Sequence, residues 1–298
     1  MKDASPTSGP RQGLIRRYVT GACAAVLVVL IAMQALAFVD YVRDQERLAA
    51  LISQIAGPLL PPSQQAIAIS DYLSTKPHSS SNSYFLLPVF RFLRPTPLQV
   101  AEDGGDCADR SRLMIVLLEL RHIHATKWAI YTPAMEPRHA VVELDSEQGK
   151  MVIDPLFGVW YPRPNGGFYD IASMRSDPTI LRNRILNLRA ENVHQGQDRP
   201  EWYPLDQYIY TYARTINWNK SVYMRVAYDI LHAVIGDRVD DIARPEWAEQ
   251  PALMLIVLLV PFEIIVLCVM IWSRLQQRHA VKAAEPEPTP AAERIICP

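Results

Sequence analysis

Two runs of the chain are almost purely apolar, and each is long enough to dictate where the remainder can sit. Residues 19–39 read VTGACAAVLVVLIAMQALAFV. As a helix that run is about 30 Å long, enough to cross the hydrocarbon core of a bilayer. Residues 251–272 read PALMLIVLLVPFEIIVLCVMIW, with Glu263 the one charged residue and Pro261 a helix breaker in its interior. A buried helix of a large soluble core is the competing account of either run, although such helices usually carry a polar stripe. For the first run a cleaved signal peptide also competes, because Ala35, Leu36 and Ala37 offer a small-x-small site. Phe38 and Val39 continue the apolar run past that site, which favours an uncleaved anchor.

Basic residues near the ends of each run set an expected orientation. Lys2, Arg11, Arg16 and Arg17 precede the first, and Arg274, Arg278 and Lys282 follow the second. The inner flanks mix Arg43, Arg47, Arg238 and Arg244 with acids. The expected layout is a cytoplasmic tail (1–18), a first span (19–39), an extracytoplasmic domain (40–250), a second span (251–272) and a disordered cytoplasmic tail (273–298). The membrane would be a bacterial-type inner membrane and the domain periplasmic. A formal net charge of −1 gives no reason to expect a nucleic-acid partner.

This layout isolates one cysteine. Cys23 and Cys268 lie inside the apolar runs, Cys297 falls in the opposite compartment, and Cys107 sits alone in GGDCADRS (104–111). Extracytoplasmic compartments favour disulfides, and here no intramolecular partner is available. Such a cysteine is either buried and inert or reactive for a purpose.

Its surroundings favour the second. Residues 107–121, CADRSRLMIVLLELR, read as a mostly buried helix with Asp106 as N-cap. A cysteine in the first helical turn lies among unpaired N–H groups that favour a thiolate and can hold an oxyanion. Gly104 and Gly105 are expected to leave room for a substrate chain. Asp103, Asp106 and Asp109 disfavour a second anion, so an added base would help.

Strands are expected at 126–132, 139–145 and 150–155, the last two forming a hairpin around SEQG (146–149). A turn centred between Ser146 and Glu147 makes partner numbers total 293 and sets His139 directly opposite Asp154. Opposed residues project to one face. His139 is then the candidate base and Asp154 its orienter, the logic of a nucleophile–base–orienter triad. Upstream, 40–75 reads as helical with a break at GPLLPPS (57–63), Ser63 capping the second piece and Pro77 ending it. Residues 157–170 read as a loop, and YPLDQYIYTYARTINWNKS (203–221) carries no clear pattern.

GGDCADRSRLMIVLLELRHIHATKWAIYT followed by RHAVVELDSEQGKMVIDP resembles the core of the transglutaminase-like superfamily of papain-like cysteine enzymes. The shared pattern is a glycine-preceded cysteine opening a buried helix, a histidine at a strand start and Asp-Pro at the end of the next strand. It spans roughly residues 60–175. The resemblance implies an α+β fold with a helix carrying Cys107 packed on an antiparallel sheet, here between two transmembrane helices. It also implies Cys107 as nucleophile, His139 as general base and acid, and Asp154 as orienter. The chemistry implied is peptide or isopeptide hydrolysis, deamidation or acyl transfer to an amine, with no cofactor and no metal. Two departures stand out. His122 occupies the helix end where the family often has glycine, and HAVVE lacks the aromatic that often follows the histidine.

Other features carry less. His122 and His124 could begin a metal site, but further ligands are not placed nearby, and helix capping accounts for them. NKS (219–221) is a formal glycosylation sequon. Glu263 is either a contact for a membrane partner or a protonated acid bonded to backbone freed by Pro261. The functional expectation is a membrane-anchored thiol enzyme acting on a peptide or protein amide in the cell envelope. The alternative is a catalytically inactive binding or assembly module of an envelope complex, on the same fold.

Overall fold

A computed structural model describes residues 10–77, 94–131, 137–190, 211–214, 216, 222–242 and 246–284. The expected loop at 78–83, the segment 84–93, the sequon, Cys297 and most of 203–221 lie outside the described residues. The chain divides into two compact units, Met1–Phe38 with Leu255–Pro298 and Val39–Met254.

In the first unit the apolar runs are parts of two long helices, α1 (Pro10–Ile55) and α8 (Pro251–Ala284). Both are long and apolar enough to cross a membrane, and their most apolar stretches are only 6% and 11% buried. A helix at the heart of a soluble core would be mostly covered, and among the described residues neither stretch is. The two helices touch through polar side chains. Thr20 and Ser273 share a hydroxyl–hydroxyl bond of 3.1 Å, and Gln34 Nε2 donates to the Ile256 carbonyl at 3.2 Å. The order of these contacts makes the pair antiparallel. Ile256 precedes Val257, the carbonyl that Pro261 deprives of its helical donor. Glu263 Oε1 is buried and accepts no hydrogen bond among the described residues.

The second unit is built on an antiparallel sheet of five strands in the order β4-β3-β2-β1-β5. The strands are β1 (Ala125–Tyr131), β2 (Pro137–Ser146), β3 (Gly149–Asp154), β4 (Val159–Trp160) and β5 (Thr211–Arg214). Three expected strands are therefore present within two residues of their expected ends. β4 and a Pro162–Phe168 bridge occupy the segment read as loop. β5 comes from the unpatterned segment and pairs with β1.

Alternation along the strands builds a core on each face. On one, Val142, Leu144, Met151 and Ile153 pack under α4 (Cys107–Glu119), α2 (Pro62–Ser74) and the end of α1. On the other, Trp128, Ile130, Val141 and Val152 pack under α5 (Ile171–Ser176) and α6 (Thr179–Ala190). The core of α4 is strictly apolar, Leu113 to Leu118 being buried without exception. Truncating one of these leucines to alanine costs about 2–5 kcal/mol.

Local chemistry sets the ends of these elements. The break after α1 falls in the segment with Gly57, Pro58, Pro61 and Pro62. Ser63 does not cap α2 as expected. The N-cap is Pro61, and Glu147 from the β2–β3 turn supplies the cap by accepting from Ser63 N (3.0 Å) and Ser63 Oγ. A short helix α3 (Pro97–Asp103) opens on a reciprocal capping box. Thr96 Oγ1 accepts from Gln99 N, and Gln99 Oε1 accepts from Thr96 N. α4 ends where His122 takes a left-handed conformation (φ 57°). His122 N bonds Glu119 O and Ile123 N bonds Leu118 O. That is a Schellman cap with histidine where glycine is usual.

The hairpin register differs from expectation. Val142 stands opposite Ile153 and Ser146 opposite Gly149, so partner numbers total 295 rather than 293. Glu147 and Gln148 alone form the turn. Its centre lies one residue later than the sequence suggested, because Gly149 (φ 102°) supplies the positive φ at the strand entry. Asp154 is thus not directly opposite His139. The shift in partner number is even, so both residues keep the same face, as diagonal neighbours.

Candidate active site

The β2 and β3 strands begin and end at the same edge of the sheet, and α4 starts there. This brings Cys107, His139 and Asp154 together. β2 opens with a bulge, since Tyr131 pairs with Pro137 while Ile130 pairs with His139. A bulge bends the strand and re-aims its side chains. His139 is 5% exposed and Asp154 fully buried.

His139 Nε2 donates to Asp154 Oδ2 at 2.5 Å. The other Asp154 oxygen accepts from Leu156 N (2.9 Å) and Phe157 N (3.3 Å), and Ser70 Oγ on α2 donates to the Asp154 carbonyl. The carboxylate is thereby fixed on both sides. The Phe157 ring lies 5.4 Å from the imidazole and covers it. Cys107 lies close enough to His139 to act on its charge. Burial works against a charged His139, but the Asp154 charge and hydrogen bond outweigh it and the Cys107 contact adds to them, pushing its pKa up to about 10. The imidazole is held as a cation between two anion-forming groups.

Asp106 is the N-cap of α4, as expected. Its side chain accepts from Asp109 N (2.9 Å), and its carbonyl from Arg110 N. The cap therefore takes the Asp109 amide, one of the first-turn N–H groups expected to hold an oxyanion.

The two glycines act differently from expectation. Both are buried. Gly104 has φ 84°, and a Cβ there would lie 2.1 Å from the Pro77 carbonyl. A Cβ on Gly105 would meet Asp109 Cβ at 2.8 Å. They let the loop pack against its own neighbours, not against a substrate. The nearby aspartates are also not free anions. Arg94 Nη1 bonds Asp106 Oδ2 (2.9 Å) and Asp109 Oδ2 (3.4 Å), and Arg112 bonds Asp109 Oδ1 (3.1 Å). Burial opposes ionisation of Asp106, yet Arg94 and the cap bonds hold its pKa below the usual value. Burial and the neighbouring Asp106 raise that of Asp109 against the pull of both arginines.

Sequence reasoning passed over the buried cations of α4. Arg110 is fully buried, and Arg112 nearly so. Their signal was present, since both stand in the helix just before its apolar run from Leu113 to Leu118. Arg112 Nε also bonds the Glu249 carbonyl, and Glu249 Oε2 pairs with Lys127 Nζ at 2.9 Å.

Among solved structures, a candidate cysteine protease from Cytophaga hutchinsonii aligns with this chain at 19% identity and a TM-score of 0.30. The alignment covers 39% of this chain and 38% of that one, so the chain spans well under half of its length. No protein-family model and no curated protein matches the chain.

Proposed function

We propose that this protein is a membrane-anchored thiol enzyme acting on amide bonds, with Cys107 as nucleophile, His139 as general acid and base, and Asp154 as orienter. The observation that carries the reading is the single imidazole bonded to a buried carboxylate and, on the same ring, interacting with the cysteine. A structural histidine needs one partner, whereas this arrangement supplies the parts a nucleophile requires.

In the proposed reaction the Cys107 thiolate attacks the amide carbonyl carbon and forms a C–S bond. The oxyanion accepts from the Cys107 amide. Protonated His139 transfers its Nδ1 proton to the amide nitrogen, the C–N bond breaks, and a thioester remains. Water or an amine then attacks the thioester, neutral His139 takes its proton, and the thiolate leaves. Asp154 stays ionised and holds the ring. Hydrolysis, deamidation and acyl transfer share these steps and differ in the second attacking group.

The long apolar helices, uncovered along most of their length, support two membrane spans. The basic flanks support cytoplasmic termini and an envelope-facing domain, which would make the substrate a peptide or protein of the cell envelope. Glu263, with a buried oxygen that accepts no bond among the described residues, marks where a membrane partner would contact the second span.

One observation favours the second reading, an inactive binding module. The helix α7 (Val222–Ile235) has no buried residue, and Val226, Ile230 and Val234 are exposed along one side. The readings separate on thiol chemistry. Pure full-length protein in detergent, with Cys23, Cys268 and Cys297 replaced by alanine, is treated with iodoacetamide from pH 5 to 9. An enzyme alkylates rapidly well below pH 8, while an inactive module reacts as an ordinary thiol near pH 8.5.

A further inference from the structure

Arg110 lies one helical turn beyond Cys107 and is fully buried. Its guanidinium donates to four backbone carbonyls. Nε reaches Gly105 O (3.0 Å), Nη1 reaches Leu73 O (2.9 Å) and Leu156 O (3.2 Å), and Nη2 reaches Lys76 O (2.8 Å). A buried guanidinium is costly, and an apolar side chain of similar volume would serve packing as well or better. What an apolar residue cannot do is join these four groups.

The carbonyls belong to three separate segments, and each bears on the site. Gly105 precedes Cys107 by two residues. Leu156 follows Asp154 by two, and its own N–H donates to the Asp154 carboxylate. Leu73 and Lys76 lie at the end of α2, beside Pro77, whose carbonyl fills the space above Gly104. One rigid, permanently charged fork therefore spans from the loop that delivers the nucleophile to the loop that fixes the orienter. The peptide of Leu156 is held at both ends, by Arg110 through its carbonyl and by Asp154 through its amide.

We propose that Arg110 is a positioning residue of this site: it sets the separation between the Cys107 and Asp154 loops and so keeps His139 in reach of both. The inference rests on the proposed thiol-enzyme reading. Lysine has the charge but not the planar fork, so it cannot hold all three segments in one geometry. A misplacement of about 1 Å at such a site costs on the order of a hundredfold in rate.

The test uses the full chain in detergent with Cys23, Cys268 and Cys297 replaced by alanine. Iodoacetamide rates at Cys107 are measured from pH 5 to 9 for the parent, Arg110→Lys, Arg110→Met and Lys127→Met. Lys127 is also a buried cation, but its ion pair is with Glu249 and not with the loops that Arg110 joins, so its variant controls for lost stability. Circular dichroism and Tm report folding. The expected result is that both Arg110 variants lose at least tenfold in rate at pH 6, with Arg110→Lys still folded. Lys127→Met should lower Tm and keep the parental profile. Folded Arg110→Lys with the parental profile overturns the inference, as does a Lys127→Met profile that moves equally. If Arg110→Met does not fold, Arg110→Lys decides alone. A parent whose rate is ordinary and indifferent to His139→Ala overturns the site reading, and the inference with it.

Discussion

Two buried polar clusters that share helix α4 solve the same problem in opposite ways. Asp109, Arg112, Lys127 and Glu249 form a set in which each charge meets an opposite one at 2.9–3.6 Å, and Arg94 adds a second base on Asp109 at 3.4 Å. Cys107, His139 and Asp154 form an open line. Asp154 is sealed by two backbone amides at one end, while Cys107 is only partly buried at the other. Each is a costly burial of charge. The first ends in itself, so it can only hold structure. The second ends in a free cysteine that is only partly buried. Burial of charge does not mark a site; an arrangement with one unfinished end does.

That contrast is tested most severely at its open end. Cys107→Ala should lower turnover by on the order of 10⁶-fold while Tm moves little, once a substrate amide is in hand. Asp154→Asn should cost about 10⁴-fold in kcat, because the ring loses its tautomer and orientation, with KM nearly unchanged. Equal loss in a Glu249 variant would erase the distinction between the clusters. Glu249→Gln is instead expected to cost about 3–5 kcal/mol of stability by stranding Lys127 and Arg112, with the iodoacetamide profile unchanged. Urea unfolding and alkylation on the same samples check both halves.

A pH experiment separates the clusters more finely. The His139 pKa is raised in the fold, from 6.5 to about 10. Its contribution to stability is then complete below pH 6.5, declines as pH rises and is gone above about 10. Stability of the parent should fall across that window, and His139→Gln should remove the part of the slope that the imidazole supplies. The smallest effect is expected at the hairpin. Gly149→Ala meets no atom within 4 Å, but φ 102° strains it. A loss of about 1 kcal/mol should appear with no change in alkylation, since register is also pinned by Glu147 on Ser63.

How far the sequence reached can be read from particular residues. Asp106 as N-cap and His122 at the left-handed cap were legible because capping is local chemistry. The three long strands were legible from composition and alternation. The turn was placed one residue early, because Gly149 belongs to the strand and not to the turn. His139 and Asp154 still came out on one face, since an even shift preserves the face of a strand. Gly104 and Gly105 were assigned to a substrate when their reason is Pro77 and Asp109, contacts made by packing that no local pattern shows. Arg110 and Glu249 act across 34 or more residues of chain, and long-range polar closure leaves only the odd charge in an apolar run as its trace.

The central claim is that His139 activates Cys107. Its most direct test is the pH profile of Cys107 alkylation in the full chain with and without His139→Ala. The account predicts a rate that stays high well below pH 8 in the parent and collapses at low pH in the variant. Superimposable profiles, each rising as an ordinary thiol does near pH 8.5, would contradict it.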